Sequence, residues 1–249
     1  MAGSEHRSVY CFKEWMRLQA QDLDELLQAL AQNTDNNKSE HVFPQLVEKS
    51  ITHFQDYMDK RSNIYHGDAS AYLGPRWCTS LENSSLWIGG CRPTSFIRLI
   101  YALVGLEVKS LIAELTQSST SRNHVGQLSA IQLSMINNLH MKTVKEEDKM
   151  TSRLASLQED ITDQPISIVA KGSRQVGEPN GEVEHALDKH DASMADIIEE
   201  ADKLRLRTLK ELMNILTPVQ AVDFLAASKK LHLCIHEWGK KRDHKHGRN

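Results

Sequence analysis

Two histidines near the carboxyl end of the chain have a spacing that suits metal chemistry. His232 and His236 are four residues apart in a segment of helical period, so their imidazoles lie on one face of the predicted helix, one turn apart. Such a pair can chelate one divalent metal, but Lys229 and Lys240, one turn away on either side, add no carboxylate. Two interpretations stay open: a partial ligand site, or two histidines that pack and form hydrogen bonds at the flank of the helix.

The sequence lacks the common catalytic motifs. It contains no P-loop, no GxSxG, no HExxH and no glycine-rich fingerprint after a strand. The four cysteines are dispersed without a CxxC pair, which indicates free thiols in a reducing compartment rather than a zinc ribbon. We expect a protein without enzymatic activity.

A second candidate site lies near the amino end, where aromatic and thioether side chains concentrate. Tyr10, Phe12, Trp15 and Met16 fall within about two helical turns. Such a cluster either closes the core or forms a docking face for a partner helix or groove. The residues alone favour closure of the core.

The length and net charge of the chain limit the class of protein to which it can belong. At 249 residues the chain can form one large domain or two small ones. Its formal net charge of −3 gives no overall field that would draw it onto nucleic acid or anionic lipid. No signal-peptide pattern and no run of about eighteen apolar residues occurs. We expect a soluble protein of the nucleus and cytoplasm, with no membrane partner.

The apolar residues repeat with helical period, and no segment alternates as a strand would. The pattern predicts an all-α fold, a single-domain bundle of long antiparallel helices over residues 8–241, followed by a basic flexible tail over 242–249. All six prolines are expected at breaks between helices. The predicted helical segments are 8–32, 42–66, 81–88, 93–117, 129–161, 182–216 and 217–241, with a polar loop at 118–121 and a long linker at 163–181.

Local chemistry gives further detail for the later helices. Thr217 is expected as an N-cap, with Pro218 at the first helical position and Gln220 as the reciprocal capping side chain. In the helix over 129–161, the charged run at 145–149 is expected to face solvent. The residues of that helix expected to point inward are Ile131, Met135, Leu139, Met150, Leu154, Leu157 and Ile161.

A sharp change of direction is predicted at Gly89-Gly90-Cys91-Arg92-Pro93, a Gly-Gly-x-Arg-Pro helix corner. Paired glycines permit backbone angles closed to other residues, and proline suits the first turn of a new helix. The side chains on both sides of this corner are expected to meet in one core. They are Trp87, Phe96, Leu99 and Ile100.

Four sequence blocks together carry a resemblance that covers the chain from about Tyr10 to Lys241. The chain resembles the plant Delay of Germination family, whose domain is shared with the C-terminal half of the TGA bZIP transcription factors. The specific feature is the tryptophan-glycine-glycine-x-arginine-proline corner, and the blocks follow in the family's order. They are Trp15–Met16, Trp87–Phe96, Gly177–Asn180 and Leu231–Gly239.

The resemblance implies haem binding through histidines of the C-terminal block, and the matching residues are His232 and His236. Axial ligands of one haem approach from opposite faces, whereas residues one turn apart on one helix approach from the same side. We expect at most one of the pair to ligate a given iron. The other would orient it, contact a propionate or pair with a haem presented to another chain. An enzymatic activity remains only as a metal- or haem-dependent reaction at these two residues.

The resemblance also implies a partner. The family's N-terminal Glu-Trp-Met region is implicated in binding clade A type 2C protein phosphatases of abscisic-acid signalling. We therefore expect a seed dormancy regulator that restrains such phosphatases, and a homodimer stays open. The residues expected to bind the partner are Tyr10, Phe12, Glu14, Trp15 and Met16.

The related TGA domain suggests two further expectations. An apolar pocket could take a lipid-like ligand among the methionines and leucines of the core. A basic leucine-zipper region is absent upstream of Tyr10, so direct sequence-specific binding to DNA is not expected. The alternative function is a TGA-like module that acts in transcription by dimerising with bZIP partners.

Overall fold

A computed structural model describes residues 2–32, 36–114, 128–163, 165–172, 175–177 and 180–248, with side chains except in 2–5, 36–40 and 106–114. Within these ranges the chain forms helices and no strand, which confirms the all-α fold. The helices are α1 (Ala2–Ala31), α2 (Asn36–Tyr65), α3 (Ser70–Leu73), α4 (Ser80–Asn83), α5 (Thr94–Glu114), α6 (Ala130–Asp160), α7 (Ile166–Gly172), α8 (Gly181–Ile215) and α9 (Pro218–Lys245).

The long helices pack antiparallel at three of their interfaces. Trp15 of α1 stacks on Tyr57 of α2, whereas Glu25, further along α1, pairs with Lys49, which comes earlier in α2. The same reversal along both helices recurs at two other interfaces. The pairs are Phe12–His236 and Asp22–Lys229 between α1 and α9, and Gln132–Ile215 and Arg153–Glu200 between α6 and α8.

Two buried apolar clusters hold the bundle together. The first includes Leu26, Phe43, Ile97, Ile100, Ile136, Leu212 and Phe224, and the second includes Tyr65, Tyr72, Ile88, Met194, Ile197 and Ile198. Trp87 packs against the second cluster, while Phe96 and Leu99 pack against the first. The prediction of one core on both sides of the corner is therefore wrong, because the corner separates the two clusters.

The corner itself is a tight turn rather than a junction of two helices. Helix α4 ends at Asn83, so the predicted helix over 81–88 is wrong beyond that residue. The Trp87 amide donates to the Gly90 carbonyl at 2.8 Å, and the Gly90 amide donates to the Trp87 carbonyl at 3.2 Å. Both central residues have positive φ, 46° at Ile88 and 67° at Gly89, the geometry of a type I′ turn. Helix α5 begins directly after Pro93.

Pro44 departs from the expectation that every proline marks a break. It lies inside α2 and removes one amide donor from that helix. The neighbouring Phe43 is buried in the first cluster, and Leu46 and Val47 pack against that cluster. Tertiary packing on both sides of Pro44 therefore holds the helix through a residue that weakens it locally.

The predicted inward face of helix α6 is confirmed in its middle, where Leu139 is buried and Met150, Leu154 and Leu157 pack against the second cluster, but it is wrong near the two ends. Ile131, Met135 and Ile161 were expected inside, yet they are 74%, 47% and 44% exposed. The buried residues of α6 are Ile136, Leu139, Thr143 and Glu147. The charged run at 145–149 is therefore not wholly solvated, because Glu147 lies on the buried face and binds the start of α5.

The capping predictions for the later helices are confirmed. Thr217 and Gln220 form a reciprocal capping box, with Pro218 at the first turn of α9. That helix continues to Lys245, so 242–245 are helical rather than tail. Helix α7 lies within the predicted linker at 163–181. The predicted loop at 118–121 and residues 178–179 of the resemblance block lie outside the described residues.

Candidate functional site

A cavity of about 410 Å³ lies between α1, α2, α9 and the segment around the corner. Its volume falls in the range typical of small-molecule sites, about 300–1,000 Å³. Most of its walls are apolar, and aromatic rings supply a large part of them. The aromatic residues that line it are Phe12, Trp15, Phe54, Tyr57, Tyr72, Trp77 and Phe96.

The N-terminal helix contributes polar groups to this region as well as rings. Its buried face includes Gln19 and Asp22 among apolar residues. Asp22 accepts a hydrogen bond from Lys229 Nζ at 2.9 Å, and His53 Nδ1 lies 2.9 Å from the same carboxylate. Burial lowers the pKa of Lys229, an effect that the nearby Asp22 carboxylate partly offsets. The pair therefore ties α9 to α1 below the ring of Trp15, which lies 5.8 Å from Lys229 Nζ.

Two arginines hold the corner turn from the inside. Arg205, fully buried on α8, donates to the carbonyl oxygens of Cys91, Trp87 and Ile88. Arg61 on α2 donates to the carbonyl of Gly89 at 2.6 Å. These bonds satisfy the carbonyls of a turn whose Ile88 has the rare positive φ. The Gly-Gly-x-Arg-Pro corner is therefore a turn that two arginines hold in place, and it forms part of the cavity wall.

A buried carboxylate pairs with both arginines. Asp202 Oδ1 accepts from Arg205 Nη1 at 2.6 Å, and Asp202 Oδ2 lies 3.2 Å from Arg61 Nε. The three charged groups are thus paired in a buried place, where an unpaired charge would destabilise the fold. The network joins α2, α8 and the turn into one unit.

The two C-terminal histidines occupy different environments. His232 lines the cavity, and burial lowers its pKa, so the ring is neutral at pH 7. His236 lies at the cavity's edge, where its ring meets Phe12 edge-on with centroids 5.6 Å apart. Its Nδ1 lies 3.0 Å from Oε2 of Glu82. Both side chains are partly buried, so the helix flank predicted from the sequence is an interface with α1 and α4.

Glu82 is the residue that organises this edge. Its Oε2 accepts from the Thr79 amide at 2.8 Å and from the Thr79 hydroxyl at 2.7 Å, which caps α4. A carboxylate oxygen only accepts, so Nδ1 of His236 carries the proton and Nε2 is the nitrogen from which this residue would bind a metal. Glu82 was not foreseen from the sequence, although a Thr-x-x-Glu capping pattern starting at Thr79 marks it.

The N-terminal candidates divide between two faces of α1. Phe12 and Trp15 are each 7% exposed and belong to the cavity wall. Tyr10 is 65% exposed, and Glu14 is about half exposed and ion-paired with Arg17. Met16 lies between the two faces. Closure of the core therefore accounts for two of the five residues, and Tyr10 and Glu14 remain at the surface.

Among the described residues, no cluster of three or more histidine, cysteine, aspartate or glutamate side chains forms a metal site. No described helix is long and apolar enough to span a bilayer.

Comparison with known proteins places this architecture in a family. A family model described as "Seed dormancy control" (DOG1) matches residues 22–102. Protein DOG1-like 3 of Arabidopsis thaliana is 41% identical, over 97% of this chain and 86% of its own length. Protein RESPONSE TO ABA AND SALT 1 of the same plant is 26% identical over 92% of this chain and 93% of its own length.

The TGA resemblance has a counterpart among the matches. Transcription factor TGA2 of Arabidopsis thaliana is 24% identical over 86% of this chain, a region that makes up 57% of TGA2. The shared part is therefore one domain of that longer protein. Identity above 40% over nearly the full chain, together with the family model, settles the relationship: this chain belongs to the DOG1 family.

Proposed function

We propose that the chain is a non-enzymatic regulator of seed dormancy that binds and restrains type 2C protein phosphatases in abscisic-acid signalling. Membership of a family described by seed dormancy control supports the biological role, and a relative named for its response to ABA and salt supports the pathway. Residence in the nucleus and cytoplasm belongs to the same proposal. The phosphatase and its site are the finer part, and they depend on the exposed face of α1.

The observation that carries the partner site is the position of Tyr10. The buried Phe12 and Trp15 fix α1 against α2 and α9, so the opposite side of this helix is presented rigidly. Tyr10 stands out from that side with two thirds of its surface exposed, and Glu14 follows one turn later. An aromatic side chain on a rigid support is the usual anchor of a protein interface.

The partner site is tested by binding of the full chain to a purified type 2C phosphatase of the abscisic-acid pathway. Replacing Tyr10 by alanine should weaken binding about tenfold or more, as loss of an interface anchor does. Glu14→Ala should weaken it less, because a rim charge contributes little. Met141→Ala is the control, since Met141 is an exposed apolar residue, 62% accessible, on the different helix α6. Unchanged binding by Tyr10→Ala removes α1 as the site.

Haem at the C-terminal helix is the second part of the proposal. His236 would hold the haem iron through Nε2, since the Glu82 carboxylate orients its ring at Nδ1, as partners of metal-binding histidines commonly do. His232, four residues earlier and facing the cavity, is neutral and would contact the haem edge rather than the same iron. Bound there, haem would supply an iron whose redox and ligand state could vary.

The haem arrangement is tested by titrating the full chain with haem and recording the absorption spectrum. His236→Ala should abolish the axial-ligand signature, whereas His232→Ala should retain a shifted one. His244→Ala, an exposed residue at the end of α9, serves as control. If each of the two replacements, made singly, abolishes one six-coordinate centre in a monomer, both histidines ligate one iron and the assignment is overturned.

The TGA2 match supports an alternative, a module that acts in transcription by dimerising with bZIP partners. The match spans most of this chain but only part of TGA2, so the shared region is one that occurs beside a DNA-binding segment in that transcription factor. Size-exclusion chromatography of the chain with a TGA-type bZIP protein separates the two functions. A stable complex without phosphatase binding favours the alternative. Direct DNA binding is not part of either proposal.

A further inference from the structure

The cavity described above contains a buried donor that no described residue satisfies. Gln19, on the inner face of α1, is 4% exposed and lines the cavity. Its Nε2 has no hydrogen-bond partner among the described residues. A buried amide donor is normally paired, because leaving it unpaired forfeits the hydrogen bonds that water provides in the unfolded chain. The unmet donor therefore points to a bound molecule with an acceptor oxygen.

The charges around the cavity are already balanced. Each cationic side chain in its lining has a carboxylate partner, and Arg205 also donates to three carbonyls of the corner turn. Lys229 pairs with Asp22, Arg92 pairs with Glu147, and Arg61 and Arg205 share Asp202, while the Glu82 carboxylate in the lining supplies the fourth negative charge. His232 is neutral because burial lowers its pKa. A ligand consequently needs no charge of its own.

The shape of the cavity walls favours a ligand that contains rings. Trp15 and Tyr57 stack with centroids 4.5 Å apart, and Tyr72 meets Trp77 edge-on at 5.0 Å. All four line the cavity, whose volume of about 410 Å³ suits a small organic molecule. Flat, rigid walls of this kind pack well against aromatic or alicyclic rings.

We propose that this cavity binds a compact, uncharged, mostly apolar ring compound whose carbonyl oxygen accepts a hydrogen bond from Gln19 Nε2. The site lies inside the bundle, on the opposite side of α1 from Tyr10. It is independent of the proposed phosphatase contact, and each can fail without the other. The competing occupants are an anionic ring compound, among them the haem proposed at the His232 side of the same cavity, and a long-chain lipid.

Four probes distinguish these occupants by equilibrium dialysis against the full chain. Benzophenone carries a neutral carbonyl between two rings, and diphenylmethane has the same shape with a methylene in its place. Benzophenone should bind about fivefold to tenfold more tightly than diphenylmethane, the effect of one neutral hydrogen bond. Benzophenone-4-carboxylate and oleate should bind more weakly than benzophenone. Equal binding of the first two probes, tighter binding of either anion, or no binding of benzophenone overturns the proposal.

Two substitutions locate the binding. Gln19→Leu removes the donor at similar volume, so the preference for benzophenone over diphenylmethane should vanish. Gln28→Leu, on the exposed face of the same helix, is the matched control and should retain the preference. Ser228→Phe fills the cavity from α9 and should abolish binding of both probes. A preference that persists in Gln19→Leu, or binding that persists in Ser228→Phe, contradicts the assigned site. The comparison of probes on the unmodified chain stands even where a variant fails to fold.

Discussion

The Nδ1 atom of His236 lies 3.0 Å from Oε2 of Glu82, and this contact joins the last helix of the bundle to the short helix α4. Because the same carboxylate accepts two hydrogen bonds from Thr79, one side chain both caps α4 and orients the histidine. The proposed haem ligand is thereby coupled to the stability of the local fold.

Replacement of Glu82 by glutamine should separate these two roles. The substitution replaces one acceptor oxygen by an amide donor, so the α4 cap and the His236 contact compete for the oxygen that remains. We expect a loss of about 1–3 kcal/mol in the free energy of unfolding. Urea denaturation measures it. Glu237→Gln, at an exposed position where the side chain pairs with Lys240, is the control and should give no measurable change. A fully stable Glu82→Gln protein would contradict the capping role.

The Gly90 position in the corner should not tolerate a side chain. A Cβ there would lie 2.9 Å from Cζ of Arg205, a buried and clamped group that has no room to move. We expect Gly90→Ala to destabilise the protein by about 2 kcal/mol or more, through loss of the arginine's bonds to the turn.

Gly105→Ala should change the stability of the protein in the opposite direction. Gly105 lies within α5, and none of the described atoms lies within 4 Å of its added Cβ, so alanine should stabilise that helix by up to about 1 kcal/mol. Thermal or urea unfolding of both variants tests the pair. Similar effects at the two glycines would mean that the contact between the turn and Arg205 is unimportant.

Glu147 should be needed for the start of α5. It is 2% exposed and accepts from the Thr94 amide at 2.7 Å, while Arg92 Nε lies 2.9 Å from its other oxygen. Glu147→Gln leaves the Arg92 charge without its partner and weakens the cap, at an expected cost of about 1–3 kcal/mol. The neighbouring Glu146→Gln, at a half-exposed position whose ion pair with Lys149 lies at the surface, should behave as the unmodified chain in the same denaturant titration. Equal stability of the two variants would refute the assigned cap.

His232 should make stability depend on pH. Burial holds its pKa below the ordinary value of 6.5, so below that pH the unfolded chain binds a proton that the folded chain resists. The contribution is fully present above pH 6.5 and is lost as the pH falls towards the folded-state pKa. The free energy of unfolding of His232→Gln should therefore fall less steeply between pH 7 and pH 5. His244→Gln, exposed on α9, should keep the original slope, and identical slopes for all three proteins would contradict the burial argument.

The helical architecture follows from local sequence chemistry. Thr217, Pro218 and Gln220 specify the start of α9 by capping rules that need no tertiary information, and the structure shows that start. Period alone also identified the long helices. It did not identify Pro44 as a helix-internal residue, because the packing of Phe43 that holds α2 together there involves distant segments.

Polar residues on buried faces are the main feature that the sequence pattern does not predict. Glu147 stands in a charged run that resembles a solvated surface, and only its spacing from Leu139 and Thr143 shows that it shares their buried face. Gln19 and Asp22 likewise lie on the inner face of α1. A charge or amide at a core position depends on a partner from another helix, and pairing across helices cannot be read from one segment.

The division of α1 into two faces explains why its residues were ambiguous. Phe12 and Trp15 satisfy the expectation of core closure, and Tyr10 leaves an aromatic side chain for a partner. Trp15→Ala would therefore open a cavity and disturb the fold, so it is a poor probe of partner binding. Tyr10→Ala changes the surface alone.

Inhibition of a purified type 2C phosphatase of the abscisic-acid pathway by the full chain tests the proposed function most directly. Phosphatase activity is measured as the concentration of this protein rises, with the unmodified chain, Tyr10→Ala and Met141→Ala compared. The account predicts saturable inhibition by the unmodified chain and by Met141→Ala, and a midpoint about tenfold higher or more for Tyr10→Ala. Undiminished phosphatase activity at saturating unmodified protein would contradict it.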